Sequence, residues 1–141
     1  MKKVVVEETY DASVEAVWKA LTDKDEMKKW YFDVSEFKTE VGFEFQFIGH
    51  GKNGDPYLHL CKITEVIPYK RLQYSWEYEN LEGTSLVTFD LQVEENKTRV
   101  TLTHTEIESF AKDNPDFDIK NFKEGWTALL TKLLPDYLAK Q

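Results

Sequence analysis

From Lys3 to Tyr10 three consecutive valines stand among polar residues, the composition of a strand. The period changes at Asp11-Ala12-Ser13. Ser13 is a favourable N-cap, and Val14, Val17, Trp18 and Leu21 recur at helical spacing along one stripe. Asp23 caps a second short helix through Lys29, whose charges read as a solvated face, and Trp30, Tyr31 and Phe32 follow as an apolar cluster. From Val34 the period becomes two. Over Gly42 to His50, Phe43, Phe45 and Phe47 share one face while Glu44 and Gln46 share the other.

Residues Gly51 to Pro56 form a turn on composition, with Asn53-Gly54 the strongest hairpin signal. A strand then runs from Tyr57 to Ile67 and ends at Pro68. Leu72, Tyr74, Trp76 and Tyr78 alternate with polar residues, as do Val87, Phe89, Leu91 and Val93 after a turn at Gly83. Beyond Glu95-Asn96-Lys97, Val100, Leu102, His104 and Glu106 share the inward parity of a last strand. Short turns between consecutive strands predict an antiparallel meander. Phe110 to Ile119 is irregular and acidic, a loop over one end of the sheet. From Lys120 the helical period returns through Phe122, Trp126, Leu129, Leu130, Leu133, Leu134, Tyr137 and Leu138. Pro135 removes one backbone donor and crowds the Thr131 carbonyl, which predicts a kink or a restart. The fold class is α+β: a curved antiparallel sheet of six to seven strands around a long C-terminal helix, in one domain over 1–141.

Composition narrows the partners. A net charge of −8 argues against phosphate backbones and anionic membranes, and favours a monomer or weak dimer. The single cysteine excludes an internal disulfide and a cysteine-based zinc site. The apolar run after Lys3 is too short for a signal peptide and no segment approaches a membrane span, so the expected location is cytoplasmic. Nine Phe, seven Tyr and four Trp supply either a well-filled core or a wide apolar pocket.

The order of elements resembles the START-like, birch-pollen-allergen-like (SRPBCC) superfamily, whose fold is called a helix-grip. More narrowly, the chain resembles the family of homologues of the activator of the Hsp-90 ATPase. The resemblance is carried by Ala12-Ser13-Val14-Glu15-Ala16-Val17-Trp18, by Trp30, and by Val41-Gly42-Phe43-Glu44-Phe45. Further on it is carried by Glu65-Val66-Ile67-Pro68, Leu72-Gln73-Tyr74-Ser75-Trp76, Val87-Thr88-Phe89, Thr98 to His104 and Gly125-Trp126-Thr127-Ala128-Leu129-Leu130. It implies a cavity for a small apolar molecule that is lipid-, sterol- or polyketide-like, and it leaves a chaperone partner as an alternative. A third class is an enzyme of cyclase or hydrolase type working in the same cavity, using His104 with Glu106 or Tyr74.

The expected ligand-binding set is Trp30, Phe45, Phe47, His59, Tyr74, Trp76, Tyr78, Phe89, His104, Trp126 and Leu130, with no catalytic residue, metal or cofactor. His59, Cys61, His104 and Glu106 share the inward parity, and buried imidazoles and carboxylates need partners. His104 and Glu106 pair with each other, or His104 is satisfied by a tyrosine hydroxyl and Glu106 sits at a frayed strand end. Cys61 reads as a structural thiol rather than a nucleophile, and His50 falls in a turn. The glycines from Gly49 to Gly54 precede a strand, so they form a turn and no phosphate cradle. Trp30-Tyr31-Phe32 is either a lid over a cavity mouth or a hydrophobic anchor.

Overall fold

The computed structural model describes residues 3–51, 53–110 and 114–140. Strand β1 (Lys3–Tyr10) is followed by helices α1 (Val14–Thr22) and α2 (Lys24–Trp30). Strands β2 (Glu44–His50), β3 (Pro56–Ile67), β4 (Arg71–Tyr78), β5 (Ser85–Glu94) and β6 (Lys97–Thr105) come next. Ser13 and Asp23 cap the two helices through their side chains, accepting from the Ala16 amide and from those of Asp25 and Glu26.

Among the described residues the six strands form one antiparallel sheet in the order β1-β6-β5-β4-β3-β2. The meander is therefore as the alternation predicts, with β1 returning to the outside of β6. Its register sets inward side chains in rows across the concave face. One row is Phe47, His59 and Tyr78, and the next is Phe45, Cys61, Trp76 and Ser85. A third runs Ile63, Tyr74, Val87, His104 and Val4. A register shift between Ile63 and Glu65 bends β3 and lets its last residues reach the surface.

Several boundaries differ from the sequence expectation. Val34 to Phe43 is not a strand; β2 begins at Glu44, and Gly42 takes a left-handed φ of +93° that few other residues adopt. Phe43 is only half-buried against the core. Val93 keeps the inward parity of β5 but is 58% exposed, because the sheet extends past the core there. Glu106 is exposed, outside β6 and left-handed at φ 65°, so the inward pairing expected of it with His104 does not occur. The segment after it carries short 3₁₀ turns at Ile107–Ser109 and Pro115–Phe117, and Phe110 and Phe117 pack on Tyr78 at 5.1 and 4.9 Å between ring centroids.

The C-terminal helical run has three parts: α3 (Ile119–Ala128), a π-helical turn over Leu129–Leu133, and α4 (Leu134–Ala139). This is the restart that Pro135 demands. The Leu134 amide reaches back five residues to the Leu129 carbonyl, and in that register the Leu130 carbonyl would look to the nitrogen of Pro135, which has no hydrogen. Leu130 is fully buried, and the Tyr10 hydroxyl donates to its carbonyl at 2.6 Å. Strand β1 thus satisfies the backbone acceptor that proline orphans. Burial raises the Tyr10 phenol well above its ordinary range, with the nearby Glu8 adding to it, so the donor stays protonated.

Removing this donor leaves a buried carbonyl unsatisfied, so Tyr10→Phe is expected to cost about 1–3 kcal/mol in urea denaturation. In a Pro135→Ala background the amide is restored, and the cost of Tyr10→Phe is expected to shrink; equal costs in both backgrounds would refute the pairing.

Candidate functional site

The middle of the concave face is filled. Phe45, Phe47, Tyr74, Phe89 and Leu130 are all buried. Phe45 meets Tyr74 at 5.1 Å between ring centroids, and Phe89 meets Trp126 at 5.8 Å. Open space lies at one end, between the Trp76–Tyr78 end of β4, the β2–β3 hairpin and α3. It is a cleft of about 390 Å³, walled by Phe32, Trp76, Tyr78, Phe122, Trp126 and Leu129 and rimmed by His50, Gly51, Asp116, Asn121 and Glu124. A recess of about 110 Å³ adjoins it under the hairpin, lined by Gly49, Tyr57, His59 and Phe117, and shares Phe32, Tyr78 and Asp116 with it.

Glycines make this space. On α3, a Cβ at Gly125 would meet nothing within 4 Å, so the missing side chain is part of the cleft. At Gly49 a Cβ would stand 2.8 Å from the His59 ring, and at Gly51 it would strike the Asp116 carboxylate. The Tyr57 hydroxyl donates to that carboxylate at 2.6 Å, tying the Pro115–Phe117 turn to β3.

Of the sequence-predicted residues, Trp76, Tyr78 and Trp126 face the cleft and His59 the recess. Phe45, Phe47, Tyr74, Phe89, His104 and Leu130 stand behind them in the packed interior. Trp30 lies away from both cavities: it is buried with its indole N–H donated to the Ala20 carbonyl at 2.8 Å, which makes it an anchor between α1 and α2. Its neighbours do reach the site. The Tyr31 hydroxyl shares a 2.7 Å hydrogen bond with that of Tyr74, and the Phe32 ring stacks on Phe47 at 4.3 Å.

The polar centre behind the cleft is His104, which is fully buried. The Trp126 indole donates to His104 Nδ1 at 3.0 Å. An indole N–H can only donate, so Nδ1 is bare and the proton of the neutral ring sits on Nε2. Nε2 donates to Ser85 Oγ at 2.8 Å, and Ser85 donates in turn to the Trp76 carbonyl at 2.9 Å. This corrects the pairing expected for His104: its partners are serine and indole, neither Glu106 nor a tyrosine hydroxyl. Ser85 and His104 do not make a nucleophilic dyad, because both are 0% exposed and the serine proton is committed to a backbone carbonyl.

Burial pushes His104 down to about 3, helped by the nearby His59, and pushes His59 down to about 4 against the pull of the Tyr57 and Phe47 carbonyls. Burial raises the Cys61 thiol far out of the nucleophilic range. Burial also raises the phenols of Tyr31, Tyr74 and Tyr78. Among the described residues no three His, Cys, Asp or Glu side chains group to hold a metal ion.

Sequence reasoning did not find Ser85, Gly125 or Asp116 as site residues, and it reached Phe32 only through the lid reading of Trp30-Tyr31-Phe32. Ser85 had a usable signal, since it shares the parity of Val87 and Phe89 and opposes Trp76 in the register. Gly125 was visible as a glycine inside a helical stripe. Asp116 lies in a segment without periodicity.

Both buried imidazoles are neutral in the fold, whereas the unfolded chain takes up their protons below about pH 6.5. Their contribution to stability is thus complete above that pH and is lost as the pH falls towards 4 and then 3. Folding stability is expected to drop by about 2 kcal/mol between about pH 6 and pH 5. A His104→Asn variant is expected to show roughly half that slope in denaturant titrations across the same range; an unchanged slope would mean His104 does not titrate on unfolding.

Protein MLL2253 from Mesorhizobium loti superposes with a TM-score of 0.79 at 25% identity, covering 99% of this chain and 98% of that one. The Aha1 dimer from Colwellia psychrerythraea gives 0.72 at 25% identity, with coverages of 98% and 96%. DynU16, a protein of the dynemicin biosynthetic locus, gives 0.77 at 21% identity, where this chain spans 99% of itself but 48% of the other. No functionally curated protein matches the chain in sequence. The helix-grip fold is shared by these structures, and residues 11–139 match the family described as Activator of Hsp90 ATPase homolog 1-like protein, so the chain belongs to that family.

Proposed function

We propose that this protein binds a small apolar molecule in the cleft between the Trp76–Tyr78 end of the sheet and α3, without carrying out chemistry on it. The observation that carries this reading is the cleft itself: about 390 Å³ of open space walled by five aromatic rings at the hairpin end of the core. Such a volume lies within the range of small-molecule sites, and stacked rings supply binding energy without charge. Trp76, Tyr78 and Trp126 make the contacts. Phe45, Phe47, Tyr74, Phe89 and Leu130 back them, and His104 fixes the plane of Trp126 through the indole hydrogen bond. His59, under the hairpin, closes the recess. The polar groups behind the wall are already paired with one another, which favours a binder over a cyclase or hydrolase.

A second reading, engagement of a chaperone ATPase, follows from the family and is favoured by an exposed apolar groove away from the cleft. Val14, Ile67, Tyr69 and Val93 line that groove, and Tyr69 and Val93 are about half exposed, at 49% and 58%. Stimulation of the ATPase in a reconstituted mixture would support it, and a flat response would remove it.

The two readings separate at Gly125. Gly125→Leu fills the cleft from the helix without a clash at Cβ and is expected to leave stability unchanged or raise it by up to about 1 kcal/mol. Native mass spectrometry of freshly purified protein is expected to show a small-molecule adduct that the variant lacks. In amide NMR titrations with tetralin, shifts at Gly51, Asn121 and residue 125 are expected in the wild type and not in the variant. Equal shifts in both proteins would overturn binding in the cleft.

A further inference from the structure

The aromatic floor of the cleft is almost without hydrogen-bond donors. The Trp126 indole is spent on His104, and the Tyr57 hydroxyl on Asp116. The Trp76 indole donates to the Tyr78 hydroxyl oxygen at 2.9 Å. That last bond has a consequence for Tyr78. An indole N–H cannot accept, so it occupies a lone pair of the phenol oxygen and turns the hydroxyl proton away from Trp76. Among the described residues its one side-chain hydrogen bond is this accepted one, and none takes that proton. Tyr78 is 7% exposed, and what exposure it has borders both the cleft and the adjoining recess, the space a ligand would occupy.

A buried donor in this position is incomplete until something accepts from it. Burial also holds the phenol in its protonated, donating form across the whole working range of pH. The position is enforced rather than free to adapt. Tyr78 is locked on its other sides by the His59 ring at 4.6 Å, Phe117 at 4.9 Å and Phe110 at 5.1 Å.

We infer that Tyr78 is the specificity-determining residue of this cleft, its hydroxyl aimed by Trp76 to donate to an acceptor oxygen of the ligand. This rests on the binding reading above and sharpens it. The ligand class is an apolar ring system bearing a carbonyl or ether oxygen, and a pure hydrocarbon of the same shape leaves the donor unsatisfied. A ligand that presents only a donor is disfavoured, since it leaves the Tyr78 proton without an acceptor.

The test uses two probes of one shape, α-tetralone and tetralin, which differ by a carbonyl. Amide NMR titrations of the full chain are expected to give about five-fold tighter binding of α-tetralone, the worth of one neutral hydrogen bond. Tyr78→Phe is expected to erase that preference while still binding tetralin. The variant also leaves the Trp76 indole without its acceptor, so the preference ratio is read and not the absolute affinity. Should the variant fail to fold, the infrared carbonyl stretch of α-tetralone bound to the wild type decides: a shift to lower frequency supports the donor, and an unshifted band overturns it. Equal affinities of the wild type for both probes, or a preference that survives Tyr78→Phe, overturn this inference while leaving cleft binding intact. Failure of both probes to bind overturns this inference and cleft binding together.

Discussion

The hydrogen-bond chain through His104 ties the C-terminal helix to three neighbouring strands of the sheet. It starts on α3 at Trp126, crosses β6 at His104, enters β5 at Ser85 and ends on the backbone of β4 at Trp76. Each member can play only one part in it. The indole must donate, the neutral ring must then carry its proton on the far nitrogen, and the serine must pass its own proton to the carbonyl. A helix lying in a curved apolar sheet has no intrinsic register, because hydrophobic contact is non-directional. The chain supplies the missing direction. It sets which face of α3 is turned inward, and so where the Gly125 gap opens.

The cleft follows from that orientation. Through most of the interior, rings meet at 5–6 Å and leave no room, as between Phe47 and Trp76 within the sheet or Phe89 and Trp126 across to the helix. At the hairpin end the helix offers a glycine where the sheet offers Trp76 and Tyr78. Two tryptophan indoles and the Tyr57 hydroxyl are consumed in holding this arrangement. Polar economy of that kind is what leaves the wall chemically quiet and the hydroxyl of Tyr78 conspicuous.

Much of the fold was legible because its strands face solvent on one side. Alternation at Leu72–Tyr78 and Val87–Leu91 fixed parity, and parity with short turns fixed the meander. What alternation cannot report is where the core ends along a strand. Val93 has the right parity and sits beyond the helix, and Glu106 has the right parity but lies past the last ladder pair. The partner of His104 was hidden for a related reason: Ser85 is small, polar and next to a turn, so the parity it shares with Val87 and Phe89 did not by itself mark it as an inward partner. The cleft was the least legible part. Its rim comes from segments such as Gly49–Gly51 and Asp116, where conformation depends on contacts between distant stretches and not on any local period.

The proline in the C-terminal run also shapes how the protein can be made. Its orphaned carbonyl is matched by a hydroxyl 120 positions earlier in the chain, on the strand that also pairs with β6. Strand β1 therefore leaves the ribosome before either of its partners and must wait for β6 and then for Leu130 to follow it. Closing so long a loop is slow, and until it closes the edge of β6 and the buried side of β1 remain open to other chains. The waiting period, rather than the finished structure, is where this protein is most exposed to aggregation.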